Sequence, residues 1–268
     1  MPEVITSTAN PLVRRARKLR HRKYRESEGV FLIEGIAHVR QALDHGADIE
    51  QILVAPDLLD SQGAWEVVEA RERAGMQVVR LGREAFESIT ERDHPSGLAA
   101  TVRSSDRPLT DLVAGPGDFF VALHDVGNPG NLGSVIRTVD AVGGHGVVIV
   151  GDSTDHRHPA AVKASMGTIF TVPTFQTRSL DDLFAWCLME DVPVMTTSVR
   201  GESLLWDTDL SERILFLFGS EAMGLPPEVL ARGDTSISLP MKGAASSLNL
   251  AVAVGVILYE VARQRRDP

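Results

Sequence analysis

Five short apolar runs in the C-terminal half, Phe119–Leu123, Val147–Val150, Val194–Ser198, Ile214–Phe218 and Ser236–Leu239, constrain the fold more than anything else in the chain. Each is bounded by turn residues and followed by a helical or loop segment. A short run without polar alternation is buried on both faces, which is the pattern of a parallel strand covered by helices on either side. This half is therefore expected to be α/β with a mainly parallel sheet. The last helix, Ser246 to about Arg263, is apolar nearly all round and rich in Ala, Val and Gly. Such a helix must be buried, within the fold or against a second subunit, and both would suit an obligate dimer.

The N-terminal half alternates in the same way. Strands are expected at Val30–Glu34, Ile49–Ala55, Gln77–Leu81 and Leu98–Val102, with helical patterns at Ile36–His45, near Ala64–Ala74 and at Glu84–Ile89. Between the halves, Ser104–Asp118 contains Pro108, Gly115, Pro116 and Gly117 with few apolar residues and reads as a linker. The expected organisation is a basic N-terminal arm over 1–25, a small α/β domain over 26–103, a linker over 104–118 and a larger α/β domain over 119–268.

Charge separates the arm from the rest. The net charge is −9, yet residues 1–25 hold Arg14, Arg15, Arg17, Lys18, Arg20, Arg22, Lys23 and Arg25 against one acid, leaving −16 on the remaining 243 residues. A cationic segment on an acidic body suits a polyanion held at one end, so these eight residues are candidate polyanion contacts; a solvated basic helix is the alternative. The longest apolar run, Ala251–Tyr259, is far short of the roughly 20 residues that span a bilayer, and the N-terminus is polar where a secretion signal would be apolar. A cytoplasmic protein without a membrane partner is expected. The single cysteine, Cys187, sits among Phe184, Trp186 and Leu188 and reads as a core thiol.

Three polar clusters stand out in the second half. The first runs Gly127-Asn128-Pro129-Gly130-Asn131-Leu132-Gly133-Ser134-Val135-Ile136-Arg137, between a strand and a helix. Leu132, Val135, Ile136, Val139 and Val142 define the buried face of that helix, so Arg137 points outward at the carboxyl edge of the sheet. The glycine spacing is G-x-x-G-x-x-G, without the G-x-G turn of a dinucleotide fold, despite Asp152 about 20 residues on, and without the Gly-Lys-Ser/Thr of a P-loop. The second cluster, Gly219-Ser220-Glu221-Ala222-Met223-Gly224, follows an apolar strand with a small-residue turn and one carboxylate. In the third, Pro240 to Asn249, Pro240 ends a strand and Ser246 or Ser247 is expected to cap the final helix. The run Asp152–His158 matches no common metal-ligand spacing and reads as a polar loop, so no metal site is expected.

Together the clusters, Asn-x-Gly-x-x-x-Arg, Gly-x-Glu and Ser-Leu-Asn in that order, closely resemble the three motifs of the SpoU/TrmH group of knotted (SPOUT) RNA 2′-O-ribose methyltransferases. Upstream, Phe31-Leu32-Ile33-Glu34-Gly35 and Gly97-Leu98-Ala99-Ala100 resemble the small substrate-binding domain of ribosomal-RNA members. The resemblance implies a deep trefoil knot made by Leu217–Met223 and Pro240–Asn249, an exception to the rule that chains do not knot. It implies S-adenosylmethionine bound at Gly219, Leu239, Met241 and Leu248, a homodimer, and 23S ribosomal RNA as the foremost substrate. The catalytic positions it implies are Asn131, Arg137, Glu221, Ser247 and Asn249. Glu221 would brace the arginine or the loop, and Arg137 would activate the ribose hydroxyl, chiefly as a cationic clamp on a neighbouring phosphate, because a guanidinium gives up its proton at great cost. Methylation of tRNA, a catalytically silent RNA-binding relative and, more distantly, a nucleotide-dependent oxidoreductase are the alternatives.

Overall fold

The computed structural model of the chain describes residues 3–91, 94–104 and 107–266. They form two compact units, the first comprising the described residues up to 104 with 157–170 and the second 107–156 with 171–266.

The first unit has strands β1 (Val4–Ile5), β2 (Val30–Glu34), β3 (Ile49–Val54), β4 (Val78–Leu81) and β5 (Leu98–Arg103), and helices α1 (Pro11–Lys18), α2 (Arg22–Glu28), α3 (Ile36–Asp44), α4 (Gln62–Arg73) and α5 (Arg83–Glu87). The sheet order is β1-β4-β3-β5-β2, parallel except that β5 runs against both its neighbours. Alternation along β3 supplies two cores. Ile52 and Val54 pack with Val39, Ala42 and Val68, while Leu53 packs with Val13, Leu81 and Phe86. The helix Pro159–Ser165, encoded far downstream, places Val162 in the first of these cores.

The basic segment is not a free arm. Its β1 pairs with β4, and α1 buries Val13 and Ala16, with Leu19 beyond its end buried as well. These apolar residues at three-residue spacing form a stripe hidden among the cations, which a count of charge overlooks. Arg25 is 1% exposed and donates to the carbonyl oxygens of Leu19 at 2.8 Å and Arg20 at 2.6 Å, so it ties the turn between α1 and α2 and cannot reach a phosphate.

The second unit runs β6 (Arg107–Pro108), β7 (Phe119–His124), α6 (Pro129–Ala141), β8 (Gly146–Val150), then through α7 (the Pro159–Ser165 helix of the first unit), β9 (Thr174–Thr177), α8 (Leu180–Met189), β10 (Val194–Thr197), β11 (Ser203–Leu204), β12 (Ile214–Phe218), α9 (Pro227–Leu230), β13 (Thr235–Ser238) and α10 (Leu250–Gln264). The eight strands lie in the order β11-β13-β10-β12-β7-β8-β9-β6, every pairing parallel. The α/β class and the buried parallel strands are as expected. Helices α6 and α10 pack on one face through Val135, Ile136, Val139, Val254, Leu258 and Val261. Helix α8 covers the other with Leu183, Trp186 and Cys187, and burial pushes the Cys187 thiol up to about 12. Chain order reverses beside β7, which has β8 on one side and β12 on the other, and in open parallel sheets ligands bind at the strands' carboxyl ends at such a point.

Two expectations need correction here. Residues 107–118 are not a linker: they supply the edge strand β6 and bury Leu109 and Leu112, whose carbonyl accepts from Trp186 Nε1 at 2.9 Å. The final helix begins at Leu250, capped by Asn249 and by neither Ser246 nor Ser247. Pro240–Leu248 instead remains an extended loop whose serines are exposed. No described helix is long and apolar enough to cross a membrane.

Candidate active site

Helix α6 starts where β7 has to turn away from the sheet. Asn128 is its N-cap, its side-chain oxygen accepting from Gly130 N at 2.8 Å and Asn131 N at 3.2 Å, and Pro129 follows, where no N–H is needed. This turn leaves the backbone N–H groups of Gly127 and Asn128 facing the end of β12. Glu221, on the turn after β12, takes both: Oε2 accepts from Gly127 N at 3.1 Å and Oε1 from Asn128 N at 3.2 Å. Oε1 also accepts from Asn131 Nδ2 at 2.9 Å.

Asn131 then passes the network on. Its Oδ1 accepts from Asn249 Nδ2 at 3.1 Å, while Asn249 Oδ1 caps α10 by accepting from Ala251 N at 2.9 Å and Val252 N at 3.4 Å. A carboxylate can only accept, so the orientation of both amides follows from Glu221. Three loops distant in sequence are thereby joined through one carboxylate and two amides. Partial burial works to raise the Glu221 pKa, but the hydrogen bonds from Asn131, from its own backbone N–H and from Gly127 and Asn128 outweigh it and hold the carboxyl below its usual value.

Beside this network lies a cavity of about 620 Å³, within the size range of small-molecule and cofactor sites. Gly219, Leu239, Met241 and Leu248, the positions expected to hold a cofactor, all line it, as do Glu221, Ser247 and Asn249. A Cβ on Gly219 would sit 2.1 Å from the carbonyl carbon of Gly224 and 2.4 Å from Leu225 N, so only glycine lets these backbone segments approach. The lining also includes Thr197 at the end of β10, Ser198 just after it, Ile237 in β13 and Ala253 and Ile257 on α10, which sequence reasoning does not single out. Their strands were legible, but strand order was not, and strand order is what brings their ends to this cavity.

Asn131, Glu221 and Asn249 thus form one connected unit. Ser247 lines the cavity without entering the network, and Arg137 is exposed on α6 with no hydrogen-bond or ion-pair partner among the described residues. Glu221 therefore braces the loop rather than the arginine.

The expected RNA contacts divide. Arg14, Lys18 and Lys23 are exposed without an ion pair among the described residues, Lys18 lying 5.1 Å from the centre of the Tyr24 ring. Arg15 is held by Glu28 at 2.5 Å and Glu50 at 2.8 Å, and Arg22 pairs with Glu26 at 2.7 Å. Arg17 and Arg20 donate to the carbonyls of Thr8 and Thr90. Among the described residues no group of three or more His, Cys, Asp or Glu could hold a metal ion.

Residues 10–100 match the MRM3-like substrate binding domain, and 118–259 match the SpoU rRNA Methylase family. The chain is 30% identical to the 23S rRNA (uridine(2479)-2′-O)-methyltransferase of Streptomyces viridochromogenes, over 92% of this chain and 87% of that protein. It is 28% identical to the 23S rRNA (guanosine(2553)-2′-O)-methyltransferase of Bacillus subtilis, over 96% and 98%. The crystal structure of an AdoMet-bound rRNA methyltransferase from Sinorhizobium meliloti superposes with a TM-score of 0.89 at 33% identity, covering 97% of both chains. With a family match over residues 118–259, more than half its length, the chain belongs to the SpoU rRNA methylase family.

Proposed function

We propose that the protein transfers a methyl group from S-adenosylmethionine to the 2′-hydroxyl of a ribose in 23S ribosomal RNA, in the cytoplasm of its cell. The observation that carries this reading is the cavity at Gly219, Leu239, Met241 and Leu248, opening directly beside the Glu221, Asn131 and Asn249 network. The cavity fits the cofactor in kind. Gly219 leaves a cradle that any Cβ would fill, which suits an adenine held against main chain, and Leu239, Met241 and Leu248 offer apolar surface to a heterocycle. When bound, the cofactor supplies an electrophilic methyl group on a sulfonium.

The chain's own residues then have a positioning task, since the substitution needs alignment more than it needs a covalent intermediate. Asn131 and Asn249 hold the α6 and α10 termini in one geometry, and Glu221 fixes their amides. Ser247 offers a hydroxyl to the ribose or its phosphate. Arg137, exposed and unpaired among the described residues, clamps the phosphate beside the target and favours the ionised hydroxyl.

We further read Leu217–Met223 and Pro240–Asn249 as the segments of a trefoil knot and the protein as a homodimer. Exposed Val252 and Tyr259 on α10 support the dimer. Of the basic residues, Arg14, Lys18 and Lys23 are the best placed to meet RNA phosphates. Calorimetry with S-adenosylmethionine and with NAD tests the cofactor: saturable binding of the first alone is expected, and saturable NAD binding with none for the adenosyl cofactor would overturn the assignment.

A further inference from the structure

The first unit contains a second, smaller cavity of about 200 Å³, walled by apolar Leu32, Ile89 and Val162 and lined by the polar groups of Arg20, Glu34 and His38. His38 is 5% exposed. Its Nδ1 lies 2.9 Å from the backbone carbonyl oxygen of Glu34, and a carbonyl only accepts, so Nδ1 carries the proton and Nε2 of the neutral ring is left as an acceptor. That Nε2 is buried and has no hydrogen-bond partner among the described residues, and the same is true of the Arg20 Nε donor. Buried polar groups in native proteins are nearly always satisfied, so an acceptor and a donor lining the same cavity point to something that fills it.

The chemistry of the walls selects the occupant. The phosphodiester of an RNA chain offers only acceptors, which the His38 lone pair and the Glu34 and Glu91 carboxylates repel. A metal ion is opposed by Arg20 and Lys163 on the same lining, and the described residues hold no group of three metal-binding side chains. A flat heterocycle carrying an N–H donor beside an acceptor satisfies His38 Nε2 and Arg20 Nε together, between apolar faces. Every nucleobase has such an edge, and sequence-specific RNA recognition works largely by splaying out single unstacked bases. The volume equals roughly seven waters at ~30 Å³ each, the size class of one base and too small for a nucleotide with its sugar and phosphate.

We propose that this cavity is a subsite for one unstacked base of the RNA substrate, held on its hydrogen-bonding edge by His38 Nε2 and Arg20 Nε. The inference rests on the reading of the protein as an RNA-modifying enzyme, and it makes the first unit a holder of one unstacked base in addition to a phosphate contact. The residues involved come from α3, from the turn after α1 and, through Val162 and Lys163, from α7.

The test measures affinity for an unmodified 23S ribosomal RNA transcript by filter binding, with methyl transfer into the same transcript as a separate readout. His38→Phe removes the acceptor at similar ring size, His38→Gln restores an acceptor near the Nε2 position, and Ala160→Phe plugs the cavity from half-exposed α7 without touching His38. His38→Phe and Ala160→Phe are each expected to weaken binding about ten-fold, as for the loss of one well-made buried contact. Affinity for S-adenosylmethionine and the salt dependence of RNA binding should be unchanged in both, since no phosphate contact is lost; the melting temperature should be unchanged in Ala160→Phe, whereas His38→Phe also loses the Nδ1–H bond to the Glu34 carbonyl and should melt slightly lower. His38→Gln should bind nearly as the native protein does. Native affinity in both His38→Phe and Ala160→Phe would mean that the cavity holds only water and would overturn the proposal. So would a His38→Gln variant as weak as His38→Phe with a lowered melting temperature, which marks a purely structural histidine. If the native protein binds the transcript without methylating it, the methyl-transfer reading fails while the affinities still decide the subsite. If it binds no transcript, both fail.

Discussion

Asn249 donates its side-chain amide to Asn131 Oδ1 at 3.1 Å across 118 residues of chain, and Asn131 hands its own amide to Glu221 Oε1 at 2.9 Å. Asn249 also caps α10, so the orientation of that helix start and the position of the α6 start are set by one carboxylate. Moving Glu221 moves both.

Glu221→Gln keeps the shape but replaces one accepting oxygen with a donor that meets backbone N–H groups. Loss of loop alignment of about 1 Å is expected to lower kcat by about a hundred-fold. The stability cost should stay near 1 kcal/mol because the carboxylate is largely exposed. The folded-state pKa of Glu221 is depressed, so its contribution is complete above the ordinary carboxylate value of 4.5 and disappears as pH falls through the lowered value. Urea denaturation of both forms should show a gap that narrows on acidification below that point; a gap that widens would contradict the assignment.

At Gly219, a methyl group would meet backbone atoms of Gly224 and Leu225 that cannot rotate away. Gly219→Ala is expected to cost about 1–3 kcal/mol and to abolish cofactor binding in calorimetry. Gly243→Ala serves as the control, because a Cβ there meets nothing within 4 Å. Equal behaviour of the two variants would separate the cavity from the cofactor.

The strands of the second sheet were legible because β7, β8, β10 and β12 are short apolar runs covered on both faces. Strand β9 was not: Thr174–Thr177 buries only Phe175, and edge strands β6 and β11 are two residues long, so neither carries a hydrophobic signature. In the N-terminal segment, eight cations conceal the buried stripe of Val13, Ala16 and Leu19, so a folded element looks like a free arm. The site residues Asn131, Glu221 and Asn249 could be named from motif order. Their hydrogen-bond chain could not, since it depends on strand order and on Asn249 rather than a serine serving as the cap.

Arg137 is expected to act on a phosphate. On an oligonucleotide with a neutral methylphosphonate beside the target ribose, a clamp has lost its anion, so Arg137→Ala should cost much less than on natural RNA. Such non-additivity in single-turnover rates is the signature of contact. Equal damage on both substrates would favour direct proton abstraction.

Helix α10 buries Val254, Ile257, Leu258 and Val261 but leaves Val252 51% and Tyr259 60% exposed, and Met223 on the cavity-lining turn is 87% exposed. Sedimentation at low micromolar concentration should show one species near twice 29.0 kDa, and Val252→Glu with Tyr259→Glu should halve it. A native protein that is monomeric and fully active would remove the dimer from the mechanism.

Ribose methylation can be read out by incubating the protein with methyl-tritiated S-adenosylmethionine and unmodified ribosomal RNA, then digesting the RNA to nucleosides. Label is expected in a single 2′-O-methylated nucleoside, absent with Arg137→Ala and Asn131→Ala. Label on a base, or none in any RNA under conditions where the cofactor binds, would contradict ribose methylation.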